Sequence, residues 1–88
     1  MNFEKLLVEY LGTFFLMFII LYTGKWYLIG ATLAILAFIG GPISGGSYNP
    51  AVTLALVYSN KLAKNKAIPY IIVEVLGALS AVFVMSKL

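Results

Sequence analysis

A polar stretch at residues 44–53 carries most of the chemistry that this otherwise hydrophobic sequence offers. The Asn49 side-chain amide can donate hydrogen bonds to a passing solute, and neighbouring backbone carbonyls can replace part of a solute's hydration shell. Those carbonyls belong to Gly45, Gly46, Ser47 and Tyr48. Non-helical backbone at membrane depth must line a cavity or be buried in protein, because lipid cannot satisfy its N–H and C=O groups. The stretch therefore predicts the wall of a pore.

The Asn49-Pro50-Ala51 triplet within this stretch predicts where a helix begins. Asparagine is a favoured N-cap, and proline suits the first helical position because its missing N–H costs nothing there. The predicted helix covers residues 50–58 and is too short to cross a bilayer. It is therefore a re-entrant half-helix, with the positive end of its dipole beside Asn49.

Composition sets the fold class that must position this stretch. The chain has 88 residues, of which 62% are hydrophobic and 10% charged, whereas about 25% of residues are charged in a soluble domain. We predict an all-α integral membrane protein with three transmembrane helices and one re-entrant half-helix. The spans are expected at residues 6–23, 26–39 and 68–86 of a single domain, 1–88, and the Gly40-Gly41-Pro42 run is expected to end the second span.

Several function classes are excluded by residue types that the sequence lacks. It contains no cysteine and no histidine, so thiol chemistry and the commonest metal ligand are absent. No nucleophile–base pair or phosphate-binding loop is present, so we predict no catalysis, no cofactor and no metal site. The net charge of +3 is small and scattered, and nucleic-acid binding is therefore not expected.

Two acids and two pairs of small residues stand out in the predicted spans. Glu9 and Glu74 are intramembrane acids, which are functional-site candidates by default. They either brace structure that serves the pore or carry protons. Small residues four positions apart let another helix approach closely, and two such pairs are present: Gly30 with Ala34, and Gly77 with Ala81.

Lysine positions predict the orientation. The side that holds the N-terminus carries Lys5, Lys61, Lys64 and Lys66, against Lys25 and Lys87 on the other side. The positive-inside rule favours the cytoplasm for the first side. The bias is modest and also permits insertion in both orientations.

Three motifs, in order, resemble the aquaporin and glycerol-facilitator family (major intrinsic proteins). Residues 43–53 are similar to that family's first signature loop, and residues 8–14 are similar to its first span, with its buried glutamate and Gly-Thr pair. Residues 70–78 resemble its third span, although the family usually has glutamine where Glu74 stands. The resemblance implies one half of an aquaporin fold, in which Glu9 accepts hydrogen bonds from loop N–H groups and Glu74 acts likewise.

The resemblance also implies pairing, because a family member has six spans and two Asn-Pro-Ala half-helices built as inverted halves. We expect a passive channel for water and small uncharged solutes such as glycerol, completed by a second, inverted copy, with four pores from eight chains as the full assembly. The family's filter arginine and histidine are missing here. Ile29 and Val52 take the constriction positions, so the expected filter is apolar and discriminates weakly.

Two other function classes stay open from the sequence. Small dual-topology exporters that are coupled to protons also carry a glutamate in their first span, as Glu9 does here, although they have four full spans. An accessory subunit that pairs with a different half-channel is the other hypothesis. Dependence of transport on a proton gradient would identify the first, and inactivity of the chain alone would favour the second.

Overall fold

The computed structural model describes residues 3–88, which form three long helices, one short helix and a 3-10 turn. The elements in chain order are α1 (Phe3–Thr23), α2 (Trp26–Ser44), α3 (Pro50–Tyr58), the 3-10 turn (Lys64–Lys66) and α4 (Ala67–Met85). The predicted all-α fold is confirmed. α1, α2 and the segment Lys64–Met85 are each long and apolar enough to cross a membrane. The 9 residues of α3 rise only about 14 Å, well short of a bilayer core of about 30 Å.

The second span ends later than predicted. α2 continues through Gly40, Gly41 and Pro42 to Ser44, so the expectation that this run ends the helix near residue 39 is wrong. Pro42 is exposed and lies in the last turn of α2, which loses one N–H donor there. The helix stops instead at Gly45, whose left-handed φ of 98° a residue with a side chain rarely adopts.

The core of the described chain lies where α1 meets α4. A Cβ atom added to Gly77 would lie 3.3 Å from the backbone nitrogen of Phe14 and closer still to the carbonyl oxygen of Tyr10. Ala81, one turn further along α4, is completely buried. The two backbones are therefore nearly in contact at this point, and only a glycine fits there. α1 also packs against α2, and α3 packs against α4.

The other pair of small residues has no neighbour within the described chain. Gly30 and Ala34 lie on an exposed face of α2, and nothing lies within 4 Å of a Cβ atom placed on Gly30. Their role in helix packing stays a prediction, and it would concern a helix outside this chain.

One end of the bundle collects the positive charges near the N-terminus. Lys66 in the 3-10 turn lies close enough to Lys5 in α1 for the two side chains to interact. The start of α1 and the loop after α3 are therefore at the same end of the molecule. Lys25 lies at the turn between α1 and α2.

Candidate pore loop and its buried acids

The segment that links α2 to α3 has no regular secondary structure from Gly45 to Tyr48. Its first two N–H groups are satisfied locally. Gly45 donates to the carbonyl oxygen of Gly41 at 2.9 Å, and Gly46 donates to the Ser44 hydroxyl at 3.2 Å. Gly46 also has a left-handed φ, of 60°, so the chain turns sharply as it leaves α2. We call residues 45–49 the pore loop below.

Glu9 of α1 receives the next two N–H groups of the pore loop. Its carboxylate accepts hydrogen bonds from the backbone of Ser47 at 3.2 Å and of Tyr48 at 2.8 Å. The Ser44 hydroxyl donates to it at 2.6 Å. Glu9 is completely buried. A buried carboxylate is stable when several donors surround it, and the loop supplies those donors.

The carbonyl groups of the pore loop are less engaged than its N–H groups. Those of Gly45, Gly46 and Ser47 receive no hydrogen bond from any of residues 3–88. The carbonyl of Tyr48 accepts from the Thr13 hydroxyl at 3.1 Å, so it faces α1. The backbone turns at Tyr48, where φ is 54°. That carbonyl is engaged within the protein, and a solute-facing role for the other three carbonyls stays a prediction.

The Tyr48 side chain anchors the pore loop between α1 and α2. The residue is only 3% exposed, and its hydroxyl donates to the carbonyl oxygen of Leu36 at 2.7 Å. A Cβ atom on Gly12 would collide with the ring carbons of Tyr48, and one on Gly40 would collide with its hydroxyl oxygen. Both glycines are thus required for their lack of volume, a role that the sequence did not reveal for Gly40.

Asn49 caps α3 and leaves its amide NH₂ group unused by the described chain. Its Oδ1 accepts from the backbone N–H of Ala51 at 2.8 Å, while Pro50 occupies the first helical position. No acceptor among residues 3–88 contacts the NH₂ group, and the residue is exposed. The cap fixes the direction of the amide, so the cap and solute-binding interpretations of Asn49 are compatible.

Glu74 of α4 lies on the far side of Ser47 from Glu9. Its Oε2 is 2.7 Å from the Thr53 hydroxyl and 3.0 Å from the Ser47 hydroxyl, and the residue is completely buried. Ser47 Oγ is also 3.1 Å from Glu9 Oε1. Glu9 therefore contacts loop N–H groups as well as hydroxyls, whereas Glu74 contacts hydroxyls and receives no N–H group from residues 3–88. The two acids do not act alike.

Four polar residues that sequence reasoning left without a role support this cluster. Tyr70 donates from its hydroxyl to the Ser44 carbonyl at 2.6 Å, and the Thr13 hydroxyl also contacts the carbonyl of Glu9 at 2.8 Å. Their shared signal is polarity inside a predicted span or in the polar stretch 44–53, where an unpaired group would be costly. The four are Thr13, Ser44, Thr53 and Tyr70.

Comparison with known proteins identifies the family. The family model described as Major intrinsic protein matches residues 25–88. This chain belongs to the Major intrinsic protein family. It is 37% identical to Glycerol uptake facilitator protein-like 6 of Lactiplantibacillus plantarum, over 89% of the chain and 40% of the relative. It is 35% identical to Aquaporin Z of Brucella melitensis, over 93% of the chain and 42% of the relative.

The Major intrinsic protein match covers the pore loop, α3 and α4. Together with three helices that can cross a membrane, it shows an integral, multi-pass membrane protein. The chain spans about two fifths of the length of these relatives, since the matched shares are 40% and 42%. No solved structure matches it.

The two residues predicted for a family-type constriction lie apart in this chain. Val52 is 43% exposed in the first turn of α3. Ile29 is half-buried near the start of α2, about 22 Å along the helix axis from Ser44. α2 and α3 share no extensive contact. Their joint constriction stays a prediction, and it would need a second wall.

Proposed function

We propose that this chain forms one wall of a passive transmembrane channel for water and small uncharged solutes such as glycerol. The observation that carries the proposal is the polarity of the pore loop. Its N–H groups from Gly45 to Tyr48 bond to protein, while three consecutive carbonyls and the NH₂ group of Asn49 have no partner among residues 3–88. In a membrane such groups need water or a solute as partner. A row of acceptors with one fixed donor suits a neutral, hydrogen-bonding solute.

The names of the relatives support this solute class. One relative is named as a glycerol uptake facilitator-like protein and another as an aquaporin. Facilitated passage needs neither a nucleophile nor a cofactor, which fits a protein without enzymatic activity. The solute is held by backbone and amide groups, and Glu9 acts as the brace that keeps these groups in place.

The second wall of the pore is proposed to be another copy of this chain in inverted orientation. Asn49 and Val52 are both exposed at the start of α3, and an inverted copy would place its own Asn49 opposite. Two half-helix N-termini would then meet and oppose cations. Ile29 and Val52 would each occur twice around the solute path, giving an apolar filter. Four such pores, from eight chains, are the proposed assembly.

The contacts of Glu9 favour bracing over proton transport. A carrier must release and bind its proton in contact with the transport pathway. Glu9 is completely buried and is held by two N–H groups and by hydroxyls. We therefore rank the exporter hypothesis below the channel. Transport that requires a proton gradient and is lost in Glu9→Gln would reverse this ranking.

Flux through the purified chain tests the channel proposal. The chain would be reconstituted alone in liposomes, and water and glycerol entry would be followed by stopped-flow light scattering. Asn49→Asp removes the amide donor and adds a charge, which costs about 2.5–3.5 kcal/mol at the bilayer centre. We expect the water permeability to fall at least about tenfold in this variant. Asn60→Asp is the matched control, because it adds the same charge at an exposed turn after α3.

Three results would contradict parts of the proposal. Equal losses of water permeability in Asn49→Asp and Asn60→Asp would show that the flux does not depend on the pore loop. No flux above that of empty liposomes would rule out a channel formed by this chain alone. Flux restored by a different half-channel would then assign the chain as an accessory subunit.

Single-cysteine labelling tests the inverted pairing, and the chain contains no cysteine that would interfere. Lys25→Cys and Lys64→Cys place thiols at the two ends of the bundle. A membrane-impermeant reagent applied from outside should label about half of each variant if copies insert both ways. Complete labelling of one variant and none of the other would exclude mixed insertion.

A further inference from the structure

Four oxygen atoms connect Glu9 to Glu74: Glu9 Oε1, Ser47 Oγ, Thr53 Oγ1 and Glu74 Oε2. They make four close contacts, which is more than the two hydroxyl protons of Ser47 and Thr53 can turn into hydrogen bonds. Ser47 Oγ lies 3.1 Å from Glu9 Oε1, 3.0 Å from Glu74 Oε2 and 2.7 Å from Thr53 Oγ1. Thr53 Oγ1 lies 2.7 Å from Glu74 Oε2. Each of these contacts is short enough to be a hydrogen bond, which requires a proton between the two oxygens. Ser47 and Thr53 supply only one proton each.

If both acids were ionised, two of these contacts would be bare oxygen–oxygen approaches. At least one of them would involve an ionised carboxylate, because Ser47–Thr53 is the one contact of the four that contains no carboxylate oxygen. A proton on one carboxyl group gives the cluster a third donor, so that only the contact between the two neutral hydroxyls of Ser47 and Thr53 is left without a proton. The spacing of the oxygens thus calls for an acid that is neutral.

The surroundings decide which acid carries the proton. Glu9 accepts two backbone N–H groups and the Ser44 hydroxyl, which suits an ionised carboxylate. Glu74 receives no N–H group, and its Oε1 is buried with no hydrogen-bond partner. An ionised oxygen left in that position would be far more costly than the carbonyl oxygen of a neutral acid.

No described cation offsets a second charge. The titratable and charged groups on the elements packed around Glu74 are two acids, five tyrosines and lysines at the bundle end. Within residues 3–88 neither Glu9 nor Glu74 forms an ion pair with a lysine. These groups are Glu4, Lys5, Glu9, Tyr10 and Tyr22 of α1, Tyr48 of the pore loop, Tyr58 of α3, Lys64 and Lys66 of the 3-10 turn, and Tyr70 of α4 itself.

We propose that Glu74 is held as a neutral acid, with its proton on Oε2 donated to Ser47 Oγ, and that it is a positioning residue for the pore loop. Ser47 then donates to Glu9, and Thr53 donates to Glu74. The chain of donors runs from α4 through the loop to the ionised Glu9 on α1. Only one negative charge is buried, and Ser47 is fixed from both sides.

Infrared spectroscopy tests the protonation directly and without any transport. A neutral carboxylic acid has a C=O stretch that is separate from the bands of amides and carboxylates, and that shifts in heavy water. The sequence has three acidic side chains, Glu4, Glu9 and Glu74, so three glutamine variants assign the band. We expect the band at neutral pH in the wild type, in Glu4→Gln and in Glu9→Gln, and its loss in Glu74→Gln.

Absence of the band in the wild type would overturn the proposal. So would its loss in Glu9→Gln with retention in Glu74→Gln, because the proton would then belong to Glu9. A positioning role also predicts a pH profile that simple loss of packing would not produce. The melting temperature in detergent should fall as the pH rises from about 4.3, where an unfolded glutamate ionises, until the folded acid also loses its proton, because over that range the folded state alone binds it. Glu74→Gln, which keeps a donor and an acceptor but cannot ionise, should lose this fall, and an identical fall in both proteins would contradict the assignment.

Discussion

Two pairs of small residues have the same spacing and opposite surroundings. Gly77 and Ala81 on α4 lie against α1, close enough for a Cβ atom on Gly77 to collide with backbone. Gly30 and Ala34 on α2 lie on an exposed face, with open space at Gly30. The first pair joins helices within the chain. The second pair is available to a helix from elsewhere.

The difference shows what a small-residue motif does and does not specify. It specifies a surface that another helix can approach closely, because small side chains leave the backbone accessible. It does not specify whether that helix comes from the same chain. In this chain the polar cluster supplies the missing information, since Glu74 and Gly77 lie one turn apart on the same buried face of α4.

Replacing Gly77 should disrupt the packing of the Gly77–Ala81 pair against α1, and we expect it to cause the largest loss in the free energy of unfolding. Gly77→Leu places a side chain against the backbone of α1, which cannot move away without displacing Glu9 from the pore loop. Overpacking costs about 1–3 kcal/mol and occasionally more, and we expect at least about 3 kcal/mol here. Thermal unfolding in detergent, followed by circular dichroism, measures it. Gly30→Leu is the matched control, and an equal loss of stability there would show that the two pairs do not differ.

The extent of sequence-based prediction follows from the same contrast. Local chemistry determines the helix start at Pro50 and the existence of the three spans, so both could be predicted from the sequence. The course of the second span did not follow, because Pro42 lies in the last turn of α2, where the helix continues despite one missing N–H donor. Whether Gly40 breaks a helix or accommodates Tyr48 depends on a contact 8 residues away along the chain, which local propensity does not report.

The cluster behind the loop was predictable only in part. Glu9 and Glu74 were recognisable as acids at membrane depth, but their unequal donors depend on how α4 is placed relative to α1. Ser47 was expected to contribute its carbonyl, whereas its hydroxyl joins the two acids. Such roles depend on which side chains the fold brings together, and neither residue spacing nor composition predicts that.

Two further glycines, Gly12 and Gly40, test whether a buried position requires glycine because of a single neighbour, Tyr48. A Cβ atom on Gly12 would meet ring carbons of Tyr48, whereas one on Gly40 would meet mainly its hydroxyl oxygen. We expect Gly12→Ala and Gly40→Ala each to lower the free energy of unfolding by about 1–3 kcal/mol. Both should also reduce water permeability, because the ring anchors the pore loop.

Removal of the Tyr48 hydroxyl should separate these two glycines. Tyr48→Phe loses the hydrogen bond to Leu36, at a cost of about 1 kcal/mol, but makes room at Gly40. In a double-mutant cycle, Tyr48→Phe should rescue most of the loss in Gly40→Ala and little of the loss in Gly12→Ala. Equal rescue of both variants, or of neither, would mean that the ring does not occupy the position described.

For the exposed pair, Gly30 and Ala34, we expect the smallest change in the free energy of unfolding and a specific change in self-association. Gly30→Leu meets open space, so the free energy of unfolding should change by no more than about 0.5 kcal/mol. If Gly30 and Ala34 face a helix of another copy, the added side chain should weaken self-association by about 1 kcal/mol. Energy transfer between labelled copies at increasing lipid dilution measures that association. Ile35→Phe adds bulk to another exposed face of α2 and should leave the association unchanged. An unchanged association in Gly30→Leu would assign the Gly30–Ala34 face to lipid, and the contrast between the two pairs would then be one between protein and bilayer. Equal weakening by both substitutions would show that this face has no specific part in the association.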